Sequence, residues 1–328
     1  MRKYIVKRIL LSIVILFFVA FIIYALMRAL PTSYIEAVAR QKSMQPGSKS
    51  FEEWMAQLSA TYNMDKGIIP GFFAWLGNML RGNFGDSWRW TVPVLEKFND
   101  TVWLSFVMGL ISFFFELIIA IPLGIIAATK QYSKADYTIS VIALAGISLP
   151  TFFFASLLTL VFSVKLGWFE LYGLVGRNYE QLSAGGQFLD KAHHLVLPII
   201  TLVVVSMGSL MRFTRTNMLE VLNADYIRTA RAKGLSERKV IYHHAFRNTL
   251  IPIVTIVGGS LPGLFAGALI TETLYSLPGI GFTSFESMVA GDIPFSMFYL
   301  VFMAVLTLLG NLISDILYAV VDPRVRIS

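Results

Sequence analysis

The chain has 328 residues, of which 56% are apolar and 14% charged, with a mean hydropathy of +0.67 and a formal net charge of +7. Soluble domains carry roughly 25% charged residues, so the composition excludes an ordinary soluble protein and predicts an integral membrane chain. The basic residues sit beside apolar runs and not on a face with stacking aromatics, which argues against nucleic acid as a partner and for membrane lipid. With no cysteine, disulfides, thiolate metal sites and cysteine nucleophiles are excluded.

The opening MRKYIVKR precedes the run ILLSIVILFFVAFIIYALM. At roughly 20 residues this run exceeds a signal-peptide core, and no A-x-A-like cleavage site follows, so it reads as a retained first span. Further apolar runs of spanning length fall near 102–128, 137–164, 194–213, 250–274 and 295–320, after a first near 9–29. Six crossings place both ends on one side. Between the first two spans, 31–100 mixes Trp54, Trp75, Trp88 and Trp90 with charges, and its stretch IIPGFFAWLGNMLRG is interrupted by Pro70 and Gly71. That segment predicts amphipathic helices near the outer surface. The Gly-rich 167–193 predicts a loop or a short reentrant piece.

Lys and Arg near the span ends set the orientation. Arg2, Lys3, Lys7 and Arg8 precede the first span, Lys130 and Lys134 lie between the second and third, and Arg324 and Arg326 follow the sixth. The segment DYIRTARAKGLSERKVIYHHAFRNTLIP lies between the fourth and fifth, whereas 276–294 has no Lys or Arg and two acids, Glu286 and Asp292. Both termini and the basic segment are therefore expected in the cytoplasm.

Within that segment Leu219, Leu222, Tyr226 and Ala230 share the i, i+3, i+7, i+11 spacing of one helical face, continuing the fourth span. Gly234 stands where a left-handed cap ends a helix whose last turn holds Arg231 and Lys233. Ser236 suits the N-cap of a second helix, with Leu235 and Val240 as a hydrophobic staple and Pro252 past its end. Two capped helices in about 35 residues exceed what a topological loop needs, and suggest a docking element.

Other chemistry finds little support. No G-x-x-x-x-G-K-[ST] occurs, so ATP hydrolysis would belong to another polypeptide. The histidines form two adjacent pairs, His193-His194 and His243-His244, whose side chains point to different sides of a helix, and no metal site is expected. GGSLPG lacks the spacing of a nucleophile elbow and no H-E-x-x-H is present. Glu116, Glu272 and Asp315 lie in or at the edges of spans, where acids either line a pathway or pair structurally. Gly259, Gly263 and Gly267, with Pro262 among them, suit close helix packing or the wall of a path. Pro278 and Gly279 form a Leu-Pro-Gly turn.

The basic segment resembles the cytoplasmic "EAA" loop of ABC importer permeases, in particular the dipeptide, oligopeptide and nickel branch and its B-type subunit, where R-T-A-R-A-K-G-L and R-N-x-L-I-P recur. The likeness extends through VKRILLSIVIL, GNFGDSW, ISLPTFFF, LGW, HLVLPIITL, ETLYSLPGIG and NLISDILYAVVDPRVR. Where the general motif has Glu-Ala-Ala this chain has Arg228-Thr229-Ala230, and the closing Leu-Pro reads Ile251-Pro252, which favours the peptide branch. The resemblance implies an all-α, six-helix type I (MetI-like) permease in the bacterial plasma (inner) membrane, importing peptides, nickel or another small solute by alternating access. It divides into 1–30 with the first span, an external 31–100, and a core 101–328 containing a coupling loop, 215–249. It further implies a homologous second permease, two cytoplasmic ABC ATPases carrying ATP and Mg, an extracytoplasmic solute-binding protein, and no cofactor on this chain. Tyr226, Arg228, Ala230, Arg231, Lys233, Gly234 and Leu235 are then expected to couple to the ATPases, and Glu272, Pro278, Gly279, Gly263 and Asp315 to serve the pathway or its gate. An ion-gradient carrier is the alternative from another class; two related halves, its usual signature, are not visible.

Overall fold

The computed structural model describes residues 2–29, 33–44, 47–61 and 67–321. Its helices are α1 (Arg2–Ala29), α2 (Ser33–Ser43), α3 (Phe51–Thr61), α4 (Ile68–Leu80), α5 (Val94–Thr129), α6 (Lys134–Ser148), α7 (Thr151–Leu158), α8 (Ala184–Leu222) and α9 (Asp225–Ala232). There follow α10 (Glu237–Lys239), α11 (Phe246–Gly259), α12 (Leu261–Phe265), α13 (Leu269–Leu274), α14 (Ile280–Val289) and α15 (Ile293–Val321). No strand occurs among the described residues. In a bilayer, which offers the backbone no hydrogen-bond partners, helices satisfy every peptide group internally.

Five apolar runs are long enough to cross: Tyr4–Ala29, Val94–Thr129, Ala184–Leu222, Glu237–Leu274 and Ile293–Val320. The third expected span differs. It is a pair, Lys134–Ser148 and Thr151–Lys165, bent by 104°. Pro150 lacks an N–H and forces Leu149 into an extended conformation (φ −75°, ψ 124°), so the helix ends there and restarts in a new direction. Counting the pair as one gives six spans.

Two other local expectations are corrected. Pro70 and Gly71 do not interrupt α4: Pro70 occupies its first turn, where a missing N–H costs nothing, and Gly71 is buried against Tyr24. Residues 184–193 are not loop but the first turns of α8, because Ser183 caps them by accepting from Gly186 N–H at 3.3 Å. Arg324 and Arg326, and the side chains of Arg2 and Lys3, lie outside the described residues.

The chain forms two compact units, one of Met1–Val102 with Thr283–Leu309, the other of Trp103–Phe282 with Gly310–Ser328. In the first, α4 packs on α1 through Phe72, whose ring meets Phe17, Phe21 and Tyr24 edge-on at 5.2–5.8 Å. The acidic stretch 276–294 holds α14 and a buried carboxylate. Asp292 caps α15 through Phe295 N–H (3.2 Å) and also accepts from the Ser87 hydroxyl, Trp88 N–H (3.1 Å) and Arg89 N–H (3.2 Å). GNFGDSW is thereby fastened to the start of the last span. Burial pushes this carboxyl above the ordinary carboxylate range, and those hydrogen bonds hold it back.

In the second unit, α6 and α8 cross at backbone contact. A Cβ on Gly208 would strike the Ala143 carbonyl and one on Gly146 the Val204 carbonyl, so only glycine fits at either place. One end of the crossing is tied by Asp136, 3% exposed, which receives Arg215 Nε at 2.7 Å and Nη2 at 2.9 Å and also accepts from Tyr132 N–H.

Candidate functional site

Two constellations of the second unit carry the residues singled out in the sequence. The first lies between α8 and α11. The helix of the fourth span stops at Leu222, and α9 begins after Asn223 and Ala224, so the expected continuous face does not form. The break shifts the phase: Ile227 (0% exposed) and Ala230 point inward, whereas Tyr226 is 47% exposed. Ile227 and Ala230 pack with Met218, Val240, Ala245 and Ile125 in one apolar cluster.

Gly234 ends α9 as its position requires. Its φ is +77°, Gly234 N–H bonds to Arg231 C=O at 2.9 Å, and Leu235 N–H reaches back to Ala230 C=O at 3.4 Å. These two bonds define a Schellman cap, with Leu235 and Ala230 in the same apolar cluster. Across the turn, Arg231 Nε donates to Glu237 Oε1 at 2.7 Å. The second helix is longer than expected. It passes from α10 through a π-helical turn, Val240–Ala245, into α11, and Pro252 lies inside it. Ser236 occupies the N-cap position but its hydroxyl makes no cap bond. The outer surface presents Tyr226, Arg228, which pairs with Asp225 at 3.5 Å, and Lys233.

The second constellation gathers around the break in the fifth span. Helix α11 ends at Gly259, α12 is a single turn after Ser260, and Ala266–Ala268 is not helical. Glu272 is wholly buried and fixes this region. Its Oε1 accepts from Ser105 Oγ at 2.7 Å and Ala268 N–H at 2.9 Å; its Oε2 accepts from Phe282 N–H at 2.7 Å. Ser105 Oγ in turn accepts from Ile280 N–H at 2.8 Å. The Leu277–Gly279 turn wraps the same carboxylate, and any Cβ on Gly279 would fall on it. These donors give both carboxyl oxygens hydrogen bonds away from water, and none of these partners is a cation.

Beside this knot lies a cavity of about 260 Å³ lined by Ser105, Ser112 and Glu116 of α5, Ser206 of α8, and Ser260 and Gly263. Of the five residues expected at the pathway, Gly263 borders this cavity, Glu272 and Gly279 meet in the knot with Pro278 in its turn, and Asp315 is half-buried on α15. Close packing does not occur at Gly259 and Gly263, where a Cβ would meet no neighbouring element, whereas one on Gly267 would strike Gly281; Gly258 rests on Ser314. The sequence reading missed Ser105 and Ser112. The signal was present as Ser105, Gly109, Ser112 and Glu116, small or polar residues at i, i+4, i+7, i+11 on an otherwise apolar helix.

Apolar spans, a helix broken beside a cavity lined by serines, a glutamate and apolar side chains, and a basic helix pair joined at a glycine cap define a polytopic transport protein. The chain belongs to the family of binding-protein-dependent transport system inner membrane components, whose model matches residues 120–327. It is similar to the oligopeptide transport system permease protein AppB of Bacillus subtilis, 38% identical over 327 residues that cover 99% of this chain and 100% of the relative. It is also similar to the di/tripeptide transport system permease protein DppB of Pseudomonas aeruginosa (33%, 99% of each chain). The dipeptide transport system permease protein DppB of Escherichia coli K12 is 32% identical, again over 99% of each chain.

Proposed function

We propose that this chain is one of two homologous permease subunits of a peptide importer, passing dipeptides or oligopeptides into the cell. The observation that carries the reading is the end-to-end similarity to permeases named for peptide transport. On this reading two ABC ATPases bind ATP and Mg in the cytoplasm, an extracytoplasmic protein delivers the solute, and this chain binds no cofactor. Both termini and the 215–249 loop face the cytoplasm, and the division into 1–30, 31–100 and 101–328 belongs to the same proposal.

The helix pair joined at the Gly234 cap supports ATPase coupling. A force applied to Tyr226, Arg228, Arg231 and Lys233 enters through α9, whose inner face, Ile227 and Ala230, is locked in the bundle and whose angle to the next helix is set by Gly234 and Leu235. Glu272, Pro278 and Gly279 serve as the brace of a gate, Gly263 as a wall of the path, and Asp315 as a further residue of the pathway. The test is uptake of labelled tri-alanine by proteoliposomes holding the whole complex with its binding protein. ATP-dependent accumulation is expected; nickel uptake without peptide uptake, or accumulation driven by a proton gradient without ATP, overturns the reading.

A further inference from the structure

We infer that Glu116 and Ser112 form a subsite that takes the primary ammonium of a peptide's amino terminus inside the span region; this rests on the peptide reading above. The cavity beside the broken fifth span is walled by Met108, Phe113, Leu202 and Leu264, and Glu116 is the one ionisable residue among those lining it. Glu116 stands more than three turns before the end of α5 at Thr129, roughly 20 Å along the helix axis. A carboxylate at that depth is costly unless something positive or polar answers it.

No described cation lines the cavity with it, and a polar side chain that reaches the carboxylate is the Ser206 hydroxyl. Ser112, one turn away on the same face and 6% exposed, has a buried hydroxyl without a hydrogen-bond partner among the described residues. An unpaired buried hydroxyl beside a carboxylate suits a ligand with several N–H donors. A primary ammonium supplies three donors and the opposite charge. At about 260 Å³ the cavity is smaller than the roughly 300–1,000 Å³ of sites that enclose a drug-sized ligand, so it admits one end of a peptide and not its length.

Ser105 links this subsite to the gate brace, since it lines the cavity and donates to Glu272. Occupation of the cavity is thus felt one hydrogen bond from the carboxylate that holds the Leu277–Gly279 turn. The subsite requires no particular side chain from the solute.

The experiment uses saturation-transfer NMR on the assembled transporter without its binding protein, with tri-alanine and its des-amino analogue propionyl-Ala-Ala as probes. Tri-alanine is expected to bind the wild type, with the analogue at least about tenfold weaker, and Glu116→Gln is expected to remove that difference. Equal binding of the two probes, no binding of either, or an undiminished preference in Glu116→Gln overturns the inference. Should Glu116→Gln fail to assemble, Ser112→Ala is read the same way, with a preference reduced severalfold expected and an unchanged one counting against. The two readings separate on uptake: a wild type that accumulates tri-alanine but shows no amine preference loses the subsite alone, whereas one that accumulates no peptide loses both.

Discussion

Gly234 occupies a conformation, φ +77°, that side chains with a branched Cβ cannot enter without strain of about 1–3 kcal/mol. Gly234→Val is therefore expected to lower solute-stimulated ATP hydrolysis and uptake together, while Gly234→Asn, which tolerates the left-handed region, keeps most of both. Assay of the two variants in the assembled complex decides the point, and normal coupling in Gly234→Val would remove the hinge from the mechanism. This residue was legible in the sequence because a cap has one local solution. Its neighbours were not. The helical phase read from Leu219 placed Tyr226 inside, but the break at Asn223 and Ala224 resets the phase and buries Ile227 instead. Nor did any local pattern distinguish Asp292 from a loop acid, since its partners Ser87, Trp88 and Arg89 stand about 200 positions earlier.

At the scale of elements, length and hydropathy revealed where the spans lie, because bilayer thickness sets a minimum run of apolar residues. They could not reveal the 104° bend of the third, for Pro150 is as compatible with a shallow kink as with a reversal until packing chooses. The crossing of α6 and α8 was equally hidden: Asp136 and Arg215 lie 79 positions apart and neither belongs to a motif. Asp136→Asn or Arg215→Gln alone is expected to destabilise the subunit by roughly 2–4 kcal/mol, somewhat less than a fully enclosed pair because Arg215 is 28% exposed. Thermal unfolding in detergent measures this, and the exchanged pair Asp136→Arg with Arg215→Asp should recover part of the loss. Independent effects, additive in the double variant Asp136→Asn with Arg215→Gln, would show that the two side chains do not act as a pair.

For the whole molecule, the distribution of Lys and Arg gives a sided prediction that the absence of cysteine makes simple to check. A single cysteine at Arg228 should react with a membrane-impermeant maleimide only after the membrane is opened, and one at Tyr172, 68% exposed, should react in intact cells. Labelling of both from the same side would overturn the six-span topology, and the opposite pattern would invert it. The sequence could carry the family this far because its motifs are written along the chain. The cavity is not, since its walls come from α5, α8 and the broken fifth span and meet only on folding.

The length of α8 has a mechanical consequence. Thirty-nine residues make a rod of roughly 58 Å, nearly twice the hydrocarbon thickness of a bilayer. Gly208 lies well along this rod and meets α6 at the Ala143 carbonyl, with the Ile147 side chain beside it. A lever pivoting there would carry a small tilt at its Leu222 end, beside α9, to an opposite swing at its Ser183 end. Pro198 removes one helix hydrogen bond between that contact and Ser183, so such a beam would flex there and act as a jointed lever.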